Sequence, residues 1–274
     1  MHILKGYTKQ EISWMMYDWA NSAHSVIIVT LLPIFFDTVA GYTADSVSSM
    51  STWGYATSIA MLIVALAAPF LGVFGDIRGM RKKLFSFFML LGVAACAGMA
   101  FTPGMDFTSG PVAAGKVASL ILVLYIVSVI GFDASAIYYD AFLTDVATED
   151  RMDKVSTMGY GLGYIGGSTI PLLIFLIMNL VGVPMLTCLA FVFGLTAVWW
   201  LAFSLPLLKN CEQTSGKPYE KGDVARSIRG VGTTIKEIIA NKPMLIYILS
   251  YFFYIDGVHT VISMATTYGT NLGL

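Results

Sequence analysis

Charge is scarce in this chain. Only 12% of its 274 residues are Asp, Glu, Lys or Arg, against roughly 25% in an ordinary soluble domain, and that shortage excludes most folds that are solvated by water on all sides. The 16 basic and 17 acidic residues nearly cancel, leaving a net charge of -1, so no global field favours nucleic acid as a partner. Cysteine is also rare. Cys96 and Cys188 lie in apolar runs and Cys211 in a polar loop; their spacing provides neither a metal site nor a disulfide framework, and they read as packing residues. The chain has no Walker-type phosphate loop and no His-Glu-x-x-His string, so neither ATP-driven work nor zinc protease chemistry has an anchor, and no cofactor is required. The N-terminus, MHILKGYTKQEISW, lacks a compact apolar core followed by a small-residue cleavage site and so gives no sign of a removable signal peptide.

Apolar residues fill the space that charge leaves, at 57% of the chain. A spanning helix needs about 20 mostly apolar residues, and seven segments qualify, near 14–36, 53–74, 84–101, 117–139, 157–180, 184–207 and 243–268. Fifteen of the sixteen basic residues lie in four polar segments between these runs, and only Lys116 lies outside them. Basic loops stay on the cytoplasmic side. The alternation therefore predicts an all-α, multi-pass membrane bundle with a cytoplasmic N-terminus and the lipid bilayer as its solvent. Residues 208–242 form the one long polar connection, with a helix expected over Val224–Ala240.

An internal echo suggests how the spans are organised. His24-Ser-Val-Ile in the first span recurs as His259-Thr-Val-Ile in the seventh, which places Asn21 opposite Asp256. Both pairs have i,i+3 spacing, so each histidine shares a helix face with its partner. A repeat offset of six spans is what two parallel six-helix halves would leave. On this basis residues 1–207 form an N-terminal six-helix bundle, 208–242 a central cytoplasmic loop, and 243–274 the first helix of an incomplete C-terminal bundle. The ending TTYGTNLGL, just past an apolar span, predicts that a C-terminal half or a partner chain supplies the second wall of a central cavity. Asn21, His24, Asp256 and His259 would face each other across that cavity and could bind an amino or carboxylate group. Asp133, deep in the fourth run, joins them as a binding or coupling candidate, because a charge at a helix centre costs about 2.5 to 3.5 kcal/mol on insertion scales. A carboxylate beside a histidine can exchange protons at physiological pH, so protons are a candidate coupling ion.

Between the second and third spans stands GVFGDIRGMRKK, residues 72–83, a turn with almost no spare length. Gly75 and Gly79 allow it to be tight, and Asp76 and the basic cluster then meet at helix ends. This string resembles the signature of the major facilitator superfamily: Gly72, Asp76, Gly79, Arg81 and Lys82 match, and Ile77 departs where a basic residue is usual. The resemblance implies an inner gate latched by these charges, with Asp76 as its acidic member. YDWANSAHSVII at 17–28, YYDAFLTDVA at 138–147 and YFFYIDGVHTVI at 251–262 are similar to the family of fungal vacuolar amino-acid effluxers linked to autophagy and its bacterial relatives. That narrower resemblance runs the length of the chain and implies amino-acid efflux in the fungal branch. Span 4 lacks the arginine of proton-coupled members, and Tyr164 replaces the proline of the antiporter signature in span 5.

The loop from Asp140 to Lys154 offers Asp145 or Glu149 as an exposed partner for the basic cluster. An exposed pair contributes about 0 to 1 kcal/mol, which suits a latch that opens. Gly159, Gly163 and Gly167 recur every fourth residue and predict a smooth ridge for close helix packing.

The leading function is thus alternating-access transport of a small polar solute, with a plasma-membrane location in a bacterial source and a vacuolar membrane in a fungal one. A non-transporting receptor or interaction subunit is the alternative that seven spans allow, although a receptor has no need of a seventh helix that echoes the first. Intramembrane aspartyl proteolysis fails because the Gly-x-Gly-Asp string is absent, and Asp76 belongs to a basic cytoplasmic turn.

Overall fold

A computed structural model describes residues 5–43, 46–216, 218 and 223–272, apart from the side chains of 46, 47, 223–228, 234, 259, 263, 267, 270 and 271. Lys217, Lys221 and the side chains of Arg226 and His259 fall outside it. The helices are α1 (Lys9–Ala40), α2 (Ser46–Gly75), α3 (Arg81–Met99), α4 (Pro111–Val146), α5 (Met152–Leu162), α6 (Thr169–Leu180), α7 (Met185–Asn210), α8 (Asp223–Ala240) and α9 (Lys242–Asn271). A π-helical segment, Gly163–Ser168, joins α5 to α6, so seven helical stretches are long and apolar enough to cross a membrane. The described residues contain no strand.

Every span is longer than its apolar window. At about 1.5 Å per residue, the 32 residues of α1 reach about 48 Å, well past a hydrocarbon core of about 30 Å. Hydropathy sees only the lipid-immersed part, whereas caps set the true ends. Thr8 Oγ1 accepts the Glu11 N–H at 3.1 Å and the Thr8 N–H donates to Glu11 Oε2 at 2.6 Å, a reciprocal box that starts α1 several residues before Trp14. Arg151 clamps the same carboxylate, with Nε and Nη2 at 2.6 and 2.9 Å. Those hydrogen bonds to Glu11 raise the guanidinium pKa. Asn210 Nδ2 donates to Ser13 Oγ at 2.8 Å. The starts of α1 and α5 and the end of α7 therefore meet at one end of the bundle, which also carries the α2–α3 turn.

Helix α1 is the axis. It packs against α4, α5, the π segment and α7, with α3 wedged between α4 and α7 and α2 lying along α4. Tyr17, Phe85, Met89, Phe142, Phe193 and Trp200 are all but inaccessible at its flanks. Helix α9 lies against α1 and α2 and leaves Tyr251, Phe252, Phe253 and Tyr254 exposed, as Leu62, Leu66 and Phe70 are on α2. Apolar surface on this scale belongs against lipid or a further chain segment.

Candidate functional site

The α2–α3 turn is tight where the sequence requires it. Gly79 has φ +79°, a left-handed conformation that suits glycine, and a Cβ on Gly75 would lie 2.9 Å from the Tyr138 ring. Gly72 is different: a Cβ there meets nothing within 4 Å, so close packing does not account for it. The turn delivers Arg81 to the first position of α3, where it is only 4% exposed. Its Nη1 donates to Ala141 O at 3.0 Å and Ser215 Oγ at 3.1 Å, and forms an ion pair with Asp145 Oδ2. The guanidinium also lies 5.7 Å from the centre of the Phe142 ring. Asp76 is the distant member, 3.9 Å from Nη2 and largely in solvent. Lys82 is half-buried near Cys211, while Glu149 is exposed.

Asp145, expected as one side of an exposed pair, has no accessible side-chain surface, and Arg81 has only 5%. The pair is buried, not exposed. The reason lies in residues 213–216, at the start of the long polar connection. The Thr214 and Ser215 N–H groups donate to Asp145 Oδ1 at 3.0 and 2.8 Å, and the Thr214 hydroxyl donates to it at 2.9 Å. Gln213 Oε1 accepts the Gly79 and Arg81 N–H groups at 2.8 and 3.2 Å, while its Nε2 donates to Gly75 O at 3.0 Å. Gly216, at φ +112°, allows the strand of loop to pass so close that a Cβ would meet Asp76 O at 2.8 Å. Residues 213–216 thus strap the turn to the end of α4. The Gln-Thr-Ser-Gly string just after α7 was the available signal, since short hydroxyl and amide side chains compete well for backbone groups. Cys211, buried at the root of the strap, has its thiol pushed up to about 12 by burial, in keeping with a packing role.

The polar patch of α1 points elsewhere than expected. His24 is 3% exposed, its ring stacked 4.7 Å from Phe132 and 5.2 Å from Trp200, with Nε2 3.3 Å from Ser128 Oγ. Its Nδ1 has no hydrogen-bond partner. Nearby, Tyr17 Oη lies 2.8 Å from Ser135 Oγ and accepts Trp200 Nε1–H at 3.3 Å. His24 therefore faces α4 and α7, drawn there by aromatic stacking, and Asn21 is buried as well. Asp256 is exposed on α9, so the structure does not bring it against His24. The side chain of His259 lies outside the described residues. Asp133 stands apart on α4, half-buried, with Oδ2 enclosed and without a hydrogen bond.

The glycines of α5 and the π segment mark where they meet α1. A Cβ on Gly159 would lie 2.6 Å from Asp18 Oδ2, on Gly163 2.6 Å from Ser22 Oγ, and on Gly167 2.4 Å from Trp19 O. Gly166, outside the fourfold spacing, is the tightest, at 1.9 Å from the Trp19 ring. The π segment explains this, because an extra residue in the turn shifts which glycines face α1. Gly167→Ala is expected to cost about 1–3 kcal/mol, since the obstacle is backbone, whereas Gly161→Ala, with open space around it, should be neutral or slightly stabilising; thermal unfolding in detergent separates the two.

A seven-span, all-α bundle with this charged turn has the architecture of the major facilitator superfamily. The sequence matches the family described as "Vacuole effluxer Atg22 like" over residues 42–272, and the chain belongs to that family. It is 39% identical over 99% of its length to the "Uncharacterized MFS-type transporter YxiO" of Bacillus subtilis, and spans 63% of that relative's length. It is 26% identical, over 41% of the chain and 21% of the relative, to "Autophagy-related protein 22-1" of Sclerotinia sclerotiorum. A protein of the same name from Penicillium rubens is 26% identical over 42% of the chain and 21% of the relative.

Proposed function

We propose that the chain is the N-terminal part of a secondary transporter that works by alternating access, with residues 1–207 as one six-helix half and the basic end of the bundle on the cytoplasmic side. The buried Arg81 cluster is the observation that carries this reading. One guanidinium joins the start of α3, the end of α4 and the strap after α7, so three helix ends of this half are tied together and can move as one body. The names of the relatives, an MFS-type transporter and autophagy-related proteins, support transport over enzymatic work, the family description supports efflux, and a small polar solute such as an amino acid is our extension of it. The residues left for solute contact are Asp133, Asp256 and His259, and a proton remains the candidate coupling ion.

The test uses the full-length native product in proteoliposomes preloaded with labelled amino acids. Efflux above that of protein-free vesicles is expected for at least one side-chain class, and Asp145→Asn should change its rate. Leakage equal to that of empty vesicles for every class would remove amino-acid efflux from the account.

A further inference from the structure

A second acidic locus lies away from the latch, where α1, α4 and α5 meet. Asp18 is nine residues into α1, about 14 Å along the axis from Lys9. It is half-buried, and its Oδ2 lies against α5, 2.6 Å from where a Cβ on Gly159 would be. Tyr139 of α4 is 4% exposed. Its ring stacks on Trp14 at 4.3 Å and lies 4.8 Å from that of Tyr17, while its backbone oxygen accepts Trp14 Nε1–H at 2.9 Å. That packing fixes the ring, and its hydroxyl, beside the Asp18 carboxylate, is left without a hydrogen bond of good geometry. Asp140 follows on the same helix, within electrostatic reach of both. Among the described residues, Tyr17 on α1 and Tyr160 on α5 also face the site. Tyr160 is exposed, its hydroxyl 3.2 Å from that of Tyr164, and offers a polar way in. The ion pairs among the described residues all lie elsewhere.

We propose that Asp18, Tyr139 and Asp140 form a proton-binding site, with Asp18 as the acceptor. Asp18 is half-buried and loses hydration, the exposed Asp140 nearby repels its charge, and among the described residues no cation pairs with either. A proton taken from water onto Asp18 removes one charge and turns the carboxyl into a donor, so the Tyr139 hydroxyl, placed to donate to the carboxylate, can accept from the protonated form. Asp18 touches Gly159, and its own backbone oxygen would lie 3.1 Å from a Cβ on Gly163, where the π segment begins. Charge at Asp18 is thereby set against the packing of α1 on α5. The proposal depends on the chain crossing a membrane and not on the latch or on any particular solute.

Acid-minus-alkaline infrared difference spectra of the full-length protein in lipid test it without a transport assay. Wild-type protein should show the C=O stretch of a protonated carboxyl. Asp18→Asn should remove that band, and Asp140→Asn should shift its pH midpoint downward by relieving the repulsion. Tyr139→Phe, which keeps the ring packing, should shift the band frequency and serves as the decisive variant if Asp18→Asn fails to fold. A band that survives Asp18→Asn, or that Tyr139→Phe leaves unmoved, overturns the proposal. So does a band displaced at constant pH by sodium but not by choline, which would make this a metal-cation site.

Discussion

Replacing Arg81 with methionine is expected to destabilise the protein by about 3–5 kcal/mol, the range for removing one partner of a buried ion pair. The loss is large because Asp145 would stay enclosed with no counter-charge, and because the strap would lose the Ser215 contact in the same step. Arg78→Met, on the exposed side of the same turn, should change stability by about 0.5 kcal/mol or less. Combining Arg81→Met with Asp145→Leu should recover part of the loss, since an apolar pair is cheaper than an orphaned charge. Thermal unfolding of the full-length protein in detergent reads all three. Equal midpoints for the Arg78 and Arg81 variants would mean that the buried pair does not hold this end of the bundle together.

A comparable loss is expected from Gly131→Ala, a change of one methyl group. A Cβ there would lie 2.5 Å from Gly92 N, 2.7 Å from Gly92 Cα and 2.7 Å from Phe88 O. All three are backbone atoms of α3, so no side chain can rotate away and the helices must separate. Gly92 in turn leaves room for the Trp200 ring, 2.4 Å from where its own Cβ would be, and that ring packs on His24. Overpacking typically costs about 1–3 kcal/mol, and here it should reach the upper end and loosen the Trp200 environment. Tryptophan fluorescence and the unfolding midpoint should move together. A midpoint equal to that of Gly161→Ala would contradict close backbone contact between α3 and α4.

The membrane class and the number of spans were legible because lipid imposes length and apolarity on each helix separately. So was the charged turn, whose glycines and charges are adjacent in sequence. What the chain hid were pairings between distant segments. Gly92 and Gly131 share no motif, and only the crossing of α3 and α4 makes them partners. Asp145 read as a solvated loop residue because the 213–216 strap that buries it lies about seventy residues away. His24 was placed on the correct helix and given the wrong neighbours, since a repeat in sequence does not say which face of α1 the aromatic rings of α4 and α7 will claim. The fourfold glycine spacing marked a ridge without saying which helix meets it and missed Gly166, because periodicity assumes a regular helix and the π segment breaks it.

The strap itself gives the most direct test of the buried latch. Thr214 and Ser215 are exposed by surface area, so slow exchange of their amide hydrogens can come only from donation to Asp145. Hydrogen–deuterium exchange of the full-length protein in lipid nanodiscs, followed on peptides covering 211–216, should show protection in the wild type and its loss in Arg81→Met and Asp145→Ala. Protection should also fall below that of the core of α4, since a short strap at the end of the bundle can open without global unfolding. Strap amides that exchange at the rate of free chain in the wild type, or that stay protected in Asp145→Ala, would contradict it.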